Sequence, residues 1–135
     1  MNNEHKPTPP SILVVEDYET LRSSVVRWLQ ARFPGCTVEG VDSAERAIER
    51  ARVARPDVVL MDISLPGIDG LEATPLLKAQ APGTAVVMLT TYDTPPHRRA
   101  AARAGASGYV AKRDMETQLE AIVLGLLDPD ARKPS

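Results

Sequence analysis

The sequence predicts an α/β fold, a five-stranded parallel sheet with helices on both faces, from three observations. Five short strand-like runs recur along the chain, Ile12–Val15, Cys36–Val41, Val58–Met61, Ala85–Leu89 and Ser107–Ala111, and each is followed by a stretch of helical periodicity. That alternation argues for parallel strands joined by right-handed crossovers. Second, Ile12–Val15, Val58–Met61 and Ala85–Leu89 are wholly apolar, too short for helices and without period-2 alternation, so they read as strands buried on both faces. Third, four of the five runs end in a reactive group: Glu16-Asp17, Asp62, Thr90 and Lys112. In a parallel sheet those ends share one edge, where open α/β sheets bind ligands.

With 135 residues the chain suffices for one core and not comfortably for two. A net charge of -2 gives no bulk electrostatic case for nucleic acid. The single cysteine, Cys36, rules out an internal disulfide and reads as a small core hydrophobe. No apolar run approaches membrane-spanning length and the N-terminus lacks a signal-peptide pattern, so the expected compartment is the cytoplasm.

Residues 1–10 are polar with three prolines and are expected to form a flexible tail. After the Ile12 strand, Glu19–Phe33 is helical, with Leu21, Val25, Trp28 and Leu29 on one face and Pro34-Gly35 as its stop. Cys36–Val41 alternates and fits a strand nearer the sheet edge. Asp42–Ala54 forms the next helix, with Asp42 and Glu45 as a capping box and a stripe of Ala44, Ala47, Ile48 and Ala51. The Val58 strand ends at Asp62, followed by the turn residues Pro66-Gly67 and Asp69-Gly70.

Asp69–Gln80 is the third helix, again with a capping box, Asp69 and Glu72, and with Leu71, Leu76 and Leu77 as its apolar residues. Pro75 lies past its first turn, where a proline costs about 3 kcal/mol, so a kink or a late start is expected. The Ala85 strand ends at Thr90. Thr94-Pro95-Pro96 opens a fourth helix, His97–Ala104, with Pro96 as the better first helical residue because Pro95 precedes a proline. Its arginines, Arg98, Arg99 and Arg103, read as a solvated face. Ser107–Ala111 leads to Lys112. Asp114–Leu127 closes the domain with Met115, Leu119, Ile122, Val123 and Leu126 on one face, and 128–135 reads as a tail or a truncated linker.

Asp62 alone could be no more than a cap at a strand end. Adjacent acids at a second strand end make a shared cation the sharper reading, and a hard divalent ion such as Mg²⁺ accepts a few carboxylates while keeping waters. Two strand–helix units separate Glu16-Asp17 from Asp62, which fits a second strand lying outside the first, so that strands one and three are neighbours. Lys112 and Thr90 are donors that a phosphoryl group on Asp62 would satisfy together with the metal. Asp62 would then be a nucleophile forming an acyl phosphate, with catalysis by positioning and electrostatics.

The segments ILVVEDY, VVLMDISLPGIDG, VVMLTTYD and GASGYVAK, in this order and at strand ends, resemble the receiver domains of two-component response regulators, the CheY-like family. The resemblance spans residues 11–127 and implies a flavodoxin-like sheet of order 2-1-3-4-5. It implies that Asp62 accepts phosphate from a histidine kinase, that Asp17, Glu16, Asp62 and the backbone carbonyl of Ser64 hold Mg²⁺ (or Mn²⁺), and that Lys112 pairs with the phosphate. Thr90 and Tyr109 would be the switch pair, and Ser64, Thr91 and Tyr92 would tune phosphoryl lifetime. On this reading the protein is not an enzyme beyond its own phosphorylation and dephosphorylation.

Some positions depart from the commoner family pattern. Thr91 is bulkier than usual, Arg113 replaces a proline after Lys112, and Pro95-Pro96 should stiffen a moving loop. The wording is closest to receivers that precede a LuxR-type helix-turn-helix, so the implied partners are a histidine kinase and either an output protein or a missing C-terminal DNA-binding domain, met through the 94–127 face. A phosphorylation-dependent homodimer is a further implied state. No direct nucleic-acid binding by this chain is expected. Two rivals are a degenerate receiver acting as a phosphorylation-independent interaction module and a small flavodoxin-like phosphatase-type enzyme. The first is disfavoured because every reactive group is present, and the second because Ser64 stands where an acid/base aspartate would be needed.

Overall fold

A computed structural model describes residues 9–128. The elements alternate in order: β1 (Ser11–Val15), α1 (Glu19–Arg32), β2 (Thr37–Val41), α2 (Ala44–Ala54), β3 (Val58–Met61), α3 (Gly70–Gln80), β4 (Ala85–Thr90), α4 (Pro95–Ala104), β5 (Gly108–Ala111), a 3-10 turn (Lys112–Asp114) and α5 (Met115–Leu127). The five strands are all parallel, in the order β2-β1-β3-β4-β5. Segments 1–8 and 129–135 of the expected tails lie outside the described residues. Pro10 is tied to the sheet through its carbonyl, which accepts from Thr37 N–H at 2.9 Å.

Each strand divides its side chains between two cores, as the pleat requires. Leu13, Val15, Val59, Met61, Val86 and Met88 face α2, α3 and α4. Ile12, Val14, Val58, Leu60, Val87 and Leu89 face α1 and α5, where Val25, Leu29, Leu119 and Val123 meet them. Every residue of β3 and β4 is buried, which is why those strands read as unbroken apolar runs. β2 is an edge strand with three of its five residues exposed, matching its alternation.

Local chemistry shifts several expected boundaries. Cys36 stands just before β2 and is half-buried against the α1 side of the core. Burial, with Asp57 nearby, raises the pKa of its thiol, so it stays a poor nucleophile. Ser43, not Asp42, caps α2, its hydroxyl accepting from Arg46 N–H at 3.1 Å. Asp42 instead pairs with the Arg46 side chain at 3.1 Å. The capping box of α3 forms as read, with Asp69 accepting from Glu72 N–H at 2.8 Å and Glu72 accepting from Asp69 N–H at 3.3 Å. That box starts α3 at Gly70, so the late start does not occur, and the helix runs through Pro75. Leu76 falls outside the packed face and is exposed.

Pro95, rather than Pro96, is the first residue of α4, because the Thr94 hydroxyl accepts from His97 N–H and fixes Thr94 as the cap. Both prolines then fall in the first turn, where a missing N–H costs no helical hydrogen bond. α5 begins one residue later than read, after the 3-10 turn that carries Lys112.

Candidate functional site

Strand pairing brings the predicted groups together. Val15 pairs with Met61, so Glu16 and Asp62 lie side by side one residue past the paired ends. Asp62 N–H donates to the Val15 carbonyl at 3.2 Å and Glu16 N–H to the Val41 carbonyl at 3.1 Å, which stitches three strand ends at this point. Thr90 pairs with Ala111 at the end of β4, and Lys112 follows immediately.

Glu16 and Asp62 are each 5% exposed, whereas Asp17 faces solvent. One carboxylate oxygen from each of the three lies within 4.8 Å of the others. The Lys112 ammonium donates to Glu16 Oε1 at 2.8 Å and to Asp62 Oδ2 at 2.7 Å. Tyr18 N–H donates to Glu16 Oε2 and Ser64 N–H to Asp62 Oδ1, both at 3.1 Å. Three carboxylates face one ammonium, an all-oxygen donor set with an excess of negative charge, and it fits a hard divalent cation.

Burial raises the Glu16 pKa above the ordinary carboxylate value, against the pull of Lys112 and the Tyr18 N–H, and the Asp62 charge adds to the rise. Burial works the other way on Lys112, but its hydrogen bonds to Asp62 and Glu16 outweigh it and raise the ammonium pKa. The site therefore holds a cation firmly beside a Glu16 carboxylate that is costly to keep charged.

Thr90 is fully buried, and its hydroxyl accepts from Tyr92 N–H at 3.3 Å, so in this arrangement it is engaged by its own loop. Tyr109 is half-buried against the α2–α4 side of the core, its hydroxyl donates to the Tyr92 carbonyl, and burial raises its pKa. Thr91 and Tyr92 are exposed, and the Tyr92 ring stacks on His97 with centroids 4.9 Å apart. Ser64 is exposed and meets Asp62 through its N–H.

Three contributors escaped the sequence reading. Arg22 on α1 donates to the Glu16 carbonyl at 2.9 Å and braces the strand end. Gly70 had appeared only as a turn residue, but a Cβ there would stand 2.3 Å from the Asp62 carbonyl oxygen. Asp93 binds Arg98 and Arg113. Arg98, Arg99 and Arg103 are all exposed as read, with Arg98 paired to Asp93 at the surface. Only Gly70 carried a signal, its place in a short turn directly after the Asp62 strand. A cleft of about 510 Å³ lined by Ser11, Arg50, Arg55 and Asp57 lies at the opposite strand ends, away from the carboxylates.

Residues 12–124 match the profile of the response regulator receiver domain. The chain is 40% identical over 113 residues to the response regulator GacA of Pseudomonas aeruginosa, covering 82% of this chain and 52% of that protein. It thus spans about half the length of the curated relatives it matches. Among solved structures, a LuxR-family two-component response regulator from Aurantimonas sp. SI85-9A1 superposes with a TM-score of 0.79 at 31% identity, covering 90% of this chain and 91% of that one. The BeF3-activated DrrB receiver domain does so with a TM-score of 0.77 at 27% identity, covering 87% and 96%.

Proposed function

The chain belongs to the response regulator receiver domain family, and from that premise we propose that Asp62 takes a phosphoryl group from a histidine kinase or a small acyl-phosphate donor. It is a two-component receiver, a signalling domain rather than a classical enzyme. The observation that carries the phosphoacceptor reading is the placement of Asp62 between two acids and one ammonium, with Thr90 at the neighbouring strand end.

An Asp62 oxygen forms the new P–O bond while the donor's P–N or P–O bond breaks and its electron pair leaves with the donor. A carboxylate nucleophile needs no base. Glu16, Asp17, Asp62 and the Ser64 carbonyl would hold Mg²⁺ (or Mn²⁺), which would neutralise charge on the transferring group. Lys112, already against Asp62, follows the phosphoryl oxygens. The Thr90 hydroxyl gives up Tyr92 N–H to reach them, and Tyr109, bonded to the Tyr92 carbonyl, carries that change to the 94–127 face. Ser64, Thr91 and Tyr92 line the approach and tune how long the phosphoryl group survives.

On this reading residues 11–127 are the receiver, and 1–10 and 128–135 are a tail and a tail or linker. The protein acts in the cytoplasm, and its partners are a histidine kinase and either an output protein or a DNA-binding domain met through the 94–127 face, with a phosphorylation-dependent homodimer as a further state. Among the described residues no helix is long and apolar enough to cross a membrane. The degenerate-receiver and phosphatase-type readings are not favoured.

Intact-mass spectrometry after incubation with acetyl phosphate and Mg²⁺ tests the assignment. Wild type should gain one phosphoryl mass, labile to alkali and not formed when chelator is present during the incubation, and Asp62→Asn should gain none. Labelling of Asp62→Asn at the wild-type rate, or no labelling of wild type by acetyl phosphate and by a phosphorylated histidine kinase alike, would sink it.

A further inference from the structure

We propose that Asp93, Arg98 and Arg113 form an ion-pair latch that holds the loop between β4 and α4 in its resting place and acts as a brake on the Thr90 switch. The proposal rests on the phosphoacceptor reading of Asp62. The Asp93 side chain is 18% exposed and both its oxygens are taken, Oδ1 by Arg98 Nε at 2.7 Å and Oδ2 by Arg113 Nη2 at 2.5 Å. The two arginines come from different elements. Arg98 lies in α4, and Arg113 lies in the 3-10 turn, one residue after the Lys112 that contacts Asp62. The Arg98 guanidinium also sits 4.6 Å from the centroid of the Tyr109 ring, whose hydroxyl holds the Tyr92 carbonyl.

Residues 92 and 93 are therefore held by α4, β5 and the turn that follows it. The same loop engages Thr90, because Tyr92 N–H donates to its hydroxyl. Thr90 cannot turn to a phosphoryl group on Asp62 without releasing that N–H, and the bonds on Tyr92 and Asp93 resist any shift of the loop. Pro95-Pro96 at the start of α4 remove the slack by which the loop could move while Arg98 stayed in place. An isolated surface pair would contribute little, but here one carboxylate joins two cations, one of them packed on the switch tyrosine. The Asp93 pKa is lowered, chiefly by its hydrogen bond to Arg98, so the carboxylate remains charged. A contact present only in the resting state shifts the two-state balance toward rest.

The test uses beryllofluoride with Mg²⁺ as the phosphoryl probe, titrated by calorimetry, and amide hydrogen exchange at residues 91–94. Asp93→Asn and Arg113→Gln should each speed exchange in the loop and each tighten probe binding, by roughly twofold to tenfold. The pair of variants separates a latch from simple electrostatics, since they change the charge near the site in opposite directions. A field effect alone would tighten binding in one and weaken it in the other, and that result overturns the brake. Unchanged exchange in both variants overturns the latch. Normal binding by wild type with no gain in either variant overturns the brake alone. No probe binding by wild type overturns the phosphoacceptor reading, and the brake with it.

Discussion

At the scale of single residues the site trades stability for chemistry. The fold raises the Glu16 pKa above its ordinary 4.5, so Glu16 favours the folded state when protonated. That contribution is complete below pH 4.5 and is lost as pH rises through the higher folded value. At neutral pH its charge therefore works against folding. Glu16→Gln removes the charge but keeps one acceptor oxygen of the two, so either Lys112 or Tyr18 N–H loses its bond there. In urea denaturation its stability relative to wild type should rise as pH climbs through the Glu16 titration, because only wild type loses the contribution of the protonated carboxyl. The same change should weaken Mg²⁺ binding by roughly 10–100-fold, as loss of a group supporting a metal site does. Lys112 has the opposite consequence. Its raised pKa stabilises the fold at pH values below 10.5, and that contribution is lost as pH climbs through the higher folded value.

At the scale of elements, caps decide where helices begin, and α2 shows how a short motif can be misread by one position. Asp42 and Glu45 have capping-box spacing, but the Ser43 hydroxyl accepts from Arg46 N–H, and Glu45 reaches away to Ile68 N–H at 3.2 Å in the turn before α3. Ser43→Ala should cost about 1 kcal/mol in chemical denaturation. Asp42→Ala, which loses only an exposed ion pair with Arg46, should cost no more than about 0.5 kcal/mol. Equal costs would return the cap to Asp42. In α3 the Thr74 hydroxyl donates to the Gly70 carbonyl at 2.7 Å, giving one carbonyl of the turn before Pro75 an additional partner.

At the scale of the whole molecule, the acidic cluster proposed to hold the cation joins the ends of β1 and β3, so binding there should be felt as global stability. Any ligand that binds only the folded chain stabilises it by RT ln(1 + [L]/Kd). Mg²⁺ at about 100 times its dissociation constant should therefore add about 2.7 kcal/mol. The measurement is a thermal melt with Mg²⁺ and with chelator. The shift should be present in wild type, much reduced in Asp17→Asn, and smaller at acid pH, where Glu16, its pKa raised by burial, becomes protonated. A shift of the same size in Asp17→Asn would move the cation elsewhere.

By itself the sequence determined the sheet, its edge strand and the reactive strand ends. Burial on both faces forces unbroken apolar runs, and a parallel sheet must turn its C-terminal ends to one side. It also determined the α3 capping box, since that motif is local and meets no competing partner. Tertiary structure alone decided the Glu45 contact with Ile68, the Arg22 brace on the Glu16 carbonyl, the near contact of Gly70 with Asp62, and the meeting of Asp93 with Arg98 and Arg113. Long flexible side chains have several partners within reach, and which one they take depends on the elements packed beside them, which no local pattern encodes.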